Sequence, residues 1–346
     1  MASISPSTEA PSRRAARLAF GGALALLFTQ LFPWKLSYVC PLVCVMLLQE
    51  AKPLSLRLGA QILGWAALWL FGANVLYQLL TPMPALLLLA AAGGLLVLFR
   101  WTLTSGVHLL AVVAGVLSTT VMPIMAVLEP SFGWLSGAAM WLNFLMAMLF
   151  AWLAFTVIPV KLRGAVSHGQ TQSLSVEVQR QAANTMTLTL LPLVWFAVMS
   201  GLTNILIPIF AAFFAMELGS AGSYQQGKKM LIANLVMGGG GTVLFYELMV
   251  IFPHPVALAL AAAFVLLFWA RRIFYPGPTA DYWSSGLNGF VVLIGSALYY
   301  EDVSTVGDLI KRLSQIFLAA LYVWLMYRVV EMGRYYRHCL TASRDG

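Results

Sequence analysis

Long apolar runs separated by short polar breaks fill the chain, and they predict membrane-spanning helices. A helix needs about 20 apolar residues to cross a hydrocarbon core of about 30 Å, and most of the runs are of that length. Prolines punctuate the breaks, as at Pro82 and Pro84 or Pro253 and Pro255. The twelve runs are residues 15–32, 36–50, 58–80, 83–99, 103–127 and 134–160, followed by 180–199, 203–217, 230–251, 254–270, 283–300 and 314–332. The pattern predicts an all-α, polytopic integral membrane protein with about 12 transmembrane helices.

Two of the runs are short and resemble each other. LSYVCPLVCVMLLQE (36–50) and TNILIPIFAAFFAME (203–217) align Pro41 with Pro208, and each ends in a glutamate. A helix of that length reaches roughly 22 Å, which is less than the thickness of the hydrocarbon core. Short apolar segments interrupted by proline at matching positions in two halves are typical of a transporter's substrate site. The alternative is a pair of ordinary proline-kinked spanning helices.

Further matches between the two halves indicate an internal repeat. ALLLLAAAGGLLVLFRW (85–101) resembles VALALAAAFVLLFWARR (256–272), and a Pro-x-Pro turn precedes each. Six spans are an even number, so both halves start on the same side and the repeat is parallel, related by an axis along the membrane normal. The predicted divisions are a disordered N-terminus (1–12), a first six-helix repeat (13–160), a linker (161–179), a second six-helix repeat (180–335) and a tail (336–346).

Composition and charge support a membrane protein with both termini in the cytoplasm. Apolar residues make up 61% of the chain and charged residues 9%, against about 25% charged residues in a soluble domain. With the N-terminus inside, 17 of the 20 basic residues fall on the inner side, as the positive-inside rule requires. The net charge of +8 is then explained by topology and anionic lipid rather than by nucleic acid. The outer loop 300–312 is the exception, with mixed charges that suit a short amphipathic turn.

Most catalytic patterns are absent from the sequence. There is no phosphate-binding glycine loop, no Ser-His-acid arrangement, and no His/Cys/acid cluster with the spacing of a metal site. We therefore expect no enzymatic activity, no catalytic residue, no cofactor and no metal. Cys40 and Cys44 are one helical turn apart in an apolar run and are expected to pack as small apolar residues. The run Gly238–Gly241 predicts close helix packing or a bend.

Two ionisable residues inside predicted spans are candidates for proton transfer. Glu247 lies in the run 230–251, where burial of a carboxylate raises its pKa and suits proton-coupled transport. The alternative is an acid near enough to the interface to stay hydrated. His108 lies in the run 103–127 and could relay protons or bind an anion, or it could simply bond to a neighbouring helix.

The short segments supply the remaining candidates. A proline leaves the carbonyl four residues earlier without its helical partner, and we expect the freed carbonyls, near Ser37 and Asn204, to be hydrated at the outer mouth of a central cavity. Tyr38 would add a polar contact there. Glu50 and Glu217 end the two segments beside basic residues, and they are either interfacial acids or part of a charge-paired inner gate.

An arginine-led first span, RRAARLAFGGALALLF, is followed by a short second span with its proline, YVCPLVCVMLL. The pair recurs in the second half as RQAANTMTLTLLPLVWFAVMSGLTNILIPIFAAFF. In these features the chain resembles the fusaric-acid-resistance-like superfamily, which includes aromatic carboxylic acid exporters. The resemblance covers most of residues 13–335, but members typically carry a sizeable cytoplasmic region where this chain has only the linker 161–179. It therefore indicates a compact branch, and it implies the inner membrane of a Gram-negative bacterium and a periplasmic membrane-fusion adaptor as partner.

Three functions fit these observations. The favoured one is an inner-membrane secondary efflux transporter for small aromatic or organic-acid compounds, driven by the proton gradient. A passive anion channel and a non-transporting membrane assembly subunit are the alternatives. The expected partners are a small-molecule substrate, membrane lipid and a second copy of the chain, but not nucleic acid.

Overall fold

The computed structural model describes residues 9–32, 34, 36–104, 108–160, 176–201, 206–220, 224–251, 254–275, 277, 279–299 and 306–342. These residues are almost entirely helical, and no β-strand occurs among them. The first helices are α1 (Pro11–Leu31), α2 (Val39–Gln49), α3 (Leu56–Leu80), α4 (Pro84–Thr104), α5 (Leu109–Leu128) and α6 (Pro130–Val157). The later helices are α7 (Val176–Ser200), α8 (Leu206–Ser220), α9 (Tyr224–Ala233), α10 (Gly239–Ile251), α11 (Pro255–Phe274), α12 (Ala280–Tyr299) and α13 (Val306–Ala342).

The predicted all-helical membrane fold is confirmed. A π-helical turn, Asn234–Gly238, joins α9 and α10 into one helix, so the described chain has one continuous helix for each of the twelve apolar runs. Eight of these helices are long and apolar enough to cross a membrane. Val39–Gln49 and Leu206–Leu218 are shorter apolar helices, while α1 and α12 carry several polar residues near their starts. By the length and composition of its helices, the chain is a multi-pass membrane protein.

Large apolar side chains cover the outer faces of several long helices. Leu244 and Phe264 are 75% and 74% exposed, and similar residues line α3, α4 and α13. Apolar surface of this extent would be unfavourable in water, whereas lipid chains cover it without penalty. Helix α5 differs from these helices, because 94% of its apolar stretch is buried inside the protein.

One compact unit takes its helices from both halves of the sequence. It comprises Met1–Leu68, Leu135–Ser173 and Lys229–Ser314. Within it, α1 packs against α2 and α11, and both α2 and α11 pack against α12. The indole N–H groups of Trp141 and Trp152 on α6 donate to the carbonyls of Leu63 and Leu54 at 3.1 and 2.8 Å. The short helix α2 is therefore buried among protein rather than lipid.

The second compact unit comprises Trp69–Trp134, Leu174–Lys228 and Gln315–Gly346. Within it, α7 packs against α4 and α8, and both α4 and α8 pack against α5. The Tyr322 hydroxyl on α13 donates to the Thr189 carbonyl of α7 at 2.9 Å. Each unit thus contains a long helix, the short helix that follows it, and two helices from the other half of the sequence.

The glycine-rich run allows close contact between helices, as predicted. At Gly238, a Cβ atom would lie only 3.0 Å from the Gly286 carbonyl oxygen on α12. At Gly289, a Cβ atom would overlap the side-chain oxygen of Asn234 in the π turn. Asn234 Nδ2 also donates to Ser285 Oγ at 3.1 Å, so a hydrogen bond accompanies the close backbone approach.

Two predicted connections lie largely outside the described residues. The linker 161–179 is described only from Val176, where α7 begins. The loop 300–312 is described only from Val306, where α13 begins, so its second half is helix rather than loop.

Candidate functional site

The two short helices begin in the same register relative to their prolines. Helix α2 begins at Val39 and α8 at Leu206, which makes Pro41 and Pro208 the third residue of each helix. The prediction that Pro41 removes a hydrogen bond from the interior of its helix is wrong, while residues 202–205, which precede α8 and Pro208, lie outside the described residues. In the first turn of a helix the backbone N–H has no helical partner in any case, so proline there removes no helical hydrogen bond.

The backbone before Pro41 is satisfied by protein. The Ser37 carbonyl accepts from the Cys40 N–H at 3.1 Å, and the same N–H lies 3.0 Å from Asn143 Oδ1. Ser37 and Tyr38 are buried, and a Cβ atom at Gly295 would lie 2.8 Å from the Tyr38 Cβ. The prediction that water satisfies the Ser37 carbonyl is therefore wrong. Its counterpart, Asn204, lies outside the described residues.

The four ionisable candidates occupy different environments. Glu247 on α10 is exposed, as is Glu50, the residue that follows α2, whereas Glu217 in the last turn of α8 is half-buried. His108 precedes α5 as its N-cap, and its Nδ1 accepts from the Leu110 N–H at 3.3 Å. The prediction that His108 lies inside a span is therefore wrong.

The predicted site residues are divided between the two units. The first unit contains Ser37, Tyr38, Pro41, Glu50 and Glu247. The second contains His108, Pro208 and Glu217. The cavity predicted between the sequence halves stays a prediction.

A buried ion pair stands at the start of α1. Arg17 Nη1 and Nη2 donate to the two carboxylate oxygens of Glu9 at 3.0 and 2.9 Å, which is a bidentate contact. The exposed fractions of the Arg17 and Glu9 side chains are 0% and 1%. Arg14 is also buried, and Arg13 is half-buried beside it. We call these four residues, Glu9, Arg13, Arg14 and Arg17, the arginine cluster.

The arginine cluster binds the ends of two neighbouring helices. Arg14 Nη2 donates to the carbonyl of Gln49, the last residue of α2, at 2.9 Å. Arg17 Nη1 lies 3.3 Å from the carbonyl of Ile158, just beyond α6, and Arg13 Nη1 lies 3.4 Å from that of Pro159. The last carbonyls of a helix lack helical donors and form the negative end of its dipole, so cationic side chains stabilise them.

Aromatic rings cover both buried guanidinium groups. The Arg14 Cζ lies 4.2 Å from the ring centroid of Phe274, and the Arg17 Cζ lies 4.2 Å from that of Phe155. A desolvated cation–π contact is worth about 2 kcal/mol. Phe155 also lines an apolar void of about 10 Å³ together with Leu47, Leu54, Met148, Ala151 and Trp152. That volume is about the space of one water molecule.

A polar network continues from Arg14 towards α12. The Gln49 side-chain Nε2 lies 3.3 Å from Asn288 Oδ1, and Ser284 Oγ donates to Gln49 Oε1. We call these three residues, Gln49, Ser284 and Asn288, the Gln49 network. Because the Gln49 carbonyl accepts from Arg14, the end of α2 joins the arginine cluster to α12.

The arginine cluster has more positive than negative charge. Burial and the neighbouring charge of Arg17 lower the pKa of Arg14 to about 10, and Glu9 opposes this effect. Arg14 therefore stays protonated at neutral pH. Arg14 and Arg17 are both buried, and the positive charge of their guanidinium groups attracts anions.

Sequence reasoning missed the arginine cluster because it attributed these arginines to topology alone. Their spacing contains a usable signal, since Arg14 and Arg17 are three residues apart and lie on one face of a helix that is apolar from Leu18 to Phe28. Arginines that only anchor a helix at the membrane surface need not lie on the same face of it. The burial itself comes from helix ends that are distant in sequence.

Comparison with known proteins gives one match. Residues 14–154 match the model of a family described as a protein of unknown function, DUF2955. This range runs from α1 through most of α6 and includes Arg14, Arg17 and Gln49. No curated protein and no solved structure shows a significant match. Over less than half of its length, the chain is thus similar to a family of unknown function.

Proposed function

We propose that this protein is an inner-membrane secondary efflux transporter for small aromatic or organic-acid anions, driven by the proton gradient. The observation that carries the proposal is the arginine cluster, in which a carboxylate binds a buried guanidinium by two hydrogen bonds. The planar guanidinium group of arginine donates two parallel hydrogen bonds to a carboxylate, and the low polarity of a buried site strengthens this contact. An ionisable group inside a membrane protein marks a substrate or ion pathway by default.

The proposal includes twelve spans arranged as two parallel repeats. Its support is the similar packing inside each unit: α1 contacts α2, α11 and α12 in one, and α7 contacts α8, α4 and α5 in the other. The short helices also share the register of Pro41 and Pro208. In this arrangement the first two helices of each repeat, α1 and α2 or α7 and α8, pack against the fourth and fifth helices of the other repeat. Reporter fusions test the orientation, and a periplasmic signal from a fusion at Arg337 would contradict cytoplasmic termini.

Glu247 is the proposed proton carrier. Its side chain is exposed on a helix whose neighbouring residues Leu244 and Val250 are 75% and 60% exposed, which is a lipid-like setting for a carboxylate. Glu50 and Glu217 are proposed inner-gate residues, and His108 a second proton-relay candidate.

Transport by the purified full-length protein in liposomes tests the function. The probe is radiolabelled benzoate, the driving force is an imposed pH gradient, and protein-free liposomes correct for passive entry of benzoic acid. Protein-dependent movement that stops when a protonophore collapses the gradient supports the transporter. Movement that ignores the gradient and gives single-channel currents favours the anion channel. No movement, together with unchanged benzoate sensitivity of a deletion strain, favours an assembly subunit.

The resemblance to aromatic acid exporters extends the proposal to a partner. A periplasmic membrane-fusion adaptor would receive the exported anion on the outer side. Co-purification of such an adaptor from the native membrane tests this part, and transport in cells without any adaptor would contradict it.

A further inference from the structure

We propose that Arg17 forms a binding site for small aromatic carboxylates and that Glu9 of the same chain occupies this site as a built-in competitor. The inference rests on the proposed function, because it names the ligand class of the arginine cluster. It adds an autoinhibitory contact that the transport proposal does not require.

The geometry of Glu9 is that of a bound ligand. Glu9 precedes α1, and its two carboxylate oxygens accept hydrogen bonds from the Arg17 guanidinium at 3.0 and 2.9 Å. Ala10, between Glu9 and the helix, is exposed and makes no side-chain cap. The Glu9 carboxylate therefore belongs to the backbone before the helix, whereas the Arg17 guanidinium belongs to α1, which is packed within the unit.

Arg17 has contacts that hold it in place without Glu9. Its Nη1 also lies within hydrogen-bond distance of the Ile158 carbonyl, and its guanidinium group packs on the Phe155 ring. The Ile158 carbonyl and the Phe155 ring are uncharged, so they orient the Arg17 guanidinium group but do not neutralise its positive charge. A buried guanidinium without an anion is strongly unfavourable, so the form in which Glu9 has left Arg17 is a minor one until another anion enters.

The surroundings of the fork favour an aromatic carboxylate over a small inorganic anion. The Phe155 and Phe274 rings flank Arg17 and Arg14, and Phe155 also borders the apolar void. The void itself holds only about one water molecule, so an aryl ring would pack on these side chains in the volume that the Glu9 segment leaves when the ligand carboxylate takes its place. The second guanidinium, on Arg14, adds attraction for the negative charge.

Binding of benzoate to the purified full-length protein tests the competition. The variant Glu9→Gln removes the built-in carboxylate and keeps the shape of the side chain. The matched control is Glu129→Gln, which changes an exposed glutamate next to α5. Benzyl alcohol serves as the uncharged ligand, and inorganic phosphate as the non-aromatic anion.

Glu9→Gln should bind benzoate about tenfold or more tightly than the wild type. The reason is that the open form of a two-state equilibrium is usually populated at about 0.1–10%, and apparent affinity falls by that fraction. The control variant should match the wild type, and benzyl alcohol should show no gain. Unchanged or weaker benzoate binding in Glu9→Gln overturns the proposal, and so does an equal gain for phosphate.

Hydrogen–deuterium exchange of the wild type keeps the test decisive if Glu9→Gln does not fold. Saturating benzoate should speed exchange in the peptide that contains Glu9 and Ala10, because benzoate displaces that segment. Unchanged exchange at saturation overturns the proposal. Tighter binding in Glu9→Gln without any transport in liposomes would leave this inference intact and refute the transport function. Gradient-driven transport, together with unchanged benzoate binding in Glu9→Gln, would support the transport function and refute this inference.

Discussion

The substitution Gly289→Ala should separate α12 from the π turn between α9 and α10. The new Cβ atom would overlap Asn234 Oδ1 and would lie 2.9 Å from Asn234 Cγ. Because Asn234 is buried, its side chain has little room to turn away. We expect either a lost Asn234–Ser285 hydrogen bond or a displaced α12.

The expected loss of stability is about 2–4 kcal/mol. Overpacking of a close contact costs about 1–3 kcal/mol, and a buried hydrogen bond contributes about 1 kcal/mol more. Gly240→Ala is the matched control, since a Cβ at Gly240 meets no atom within 4 Å. That control should leave stability unchanged or raise it by up to about 1 kcal/mol through helix propensity.

Thermal unfolding in detergent measures these variants, and a double mutant identifies the cause. Asn234→Ala alone should lose about 1 kcal/mol, as expected for its hydrogen bond. Combined with Gly289→Ala it should lose little more, because the clashing side chain is gone and the two effects are not additive. Two results would refute the reasoning: Gly289→Ala as stable as Gly240→Ala, or a double mutant whose loss equals the sum of the single losses.

The remaining predictions concern the proton carrier and the prolines. Glu247→Gln should abolish the response of benzoate transport to a pH gradient while leaving benzoate binding within about twofold, because the amide cannot exchange a proton; retained gradient-driven transport would exclude Glu247 as carrier. Pro41→Ala and Pro208→Ala should each change stability by less than about 1 kcal/mol, since proline in the first turn removes no helical bond. Thermal unfolding checks this, and a larger loss would show that the prolines have another structural role.

The helices could be predicted from sequence because each is an apolar run with polar or proline breaks. The first residue of a helix is less predictable where the apolar run begins before the helix does. The apolar run 36–50 begins three residues before α2, because Leu36 has a φ of 61° and cannot belong to a right-handed helix. Leucine carries no signal for that conformation. The proline was therefore assigned to a helix interior when it belongs to the first turn.

The arginine cluster could not be predicted because its burial depends on distant helix ends. Arg14 and Arg17 contact the ends of α2, α6 and α11, which are separated by more than a hundred residues. In sequence, an arginine that anchors a span in anionic lipid looks the same as one that binds a carbonyl inside the protein. His108 shows a similar limit, since an N-cap at the edge of an apolar run is indistinguishable from a residue inside it.

Helix α12 links the arginine cluster to the helix that carries Glu247, and this link can be broken at one side chain. Ser284 and Asn288 bond to Gln49, while the adjacent stripe, Ser285 and Gly289, packs on the π turn that leads into α10. Packed and hydrogen-bonded side chains of this kind can carry coupling between an anion site and a proton carrier.

Gln49→Leu deletes the bonds from α2 to α12 but keeps the Gln49 backbone carbonyl that accepts from Arg14. Benzoate should therefore still bind, whereas the pH gradient should drive much less transport per bound benzoate. Gln61→Leu, at an exposed position on α3, is the matched control and should behave as the wild type. Proton flux and benzoate flux measured together in liposomes give the stoichiometry. An unchanged ratio in Gln49→Leu would show that the coupling path does not pass through α12.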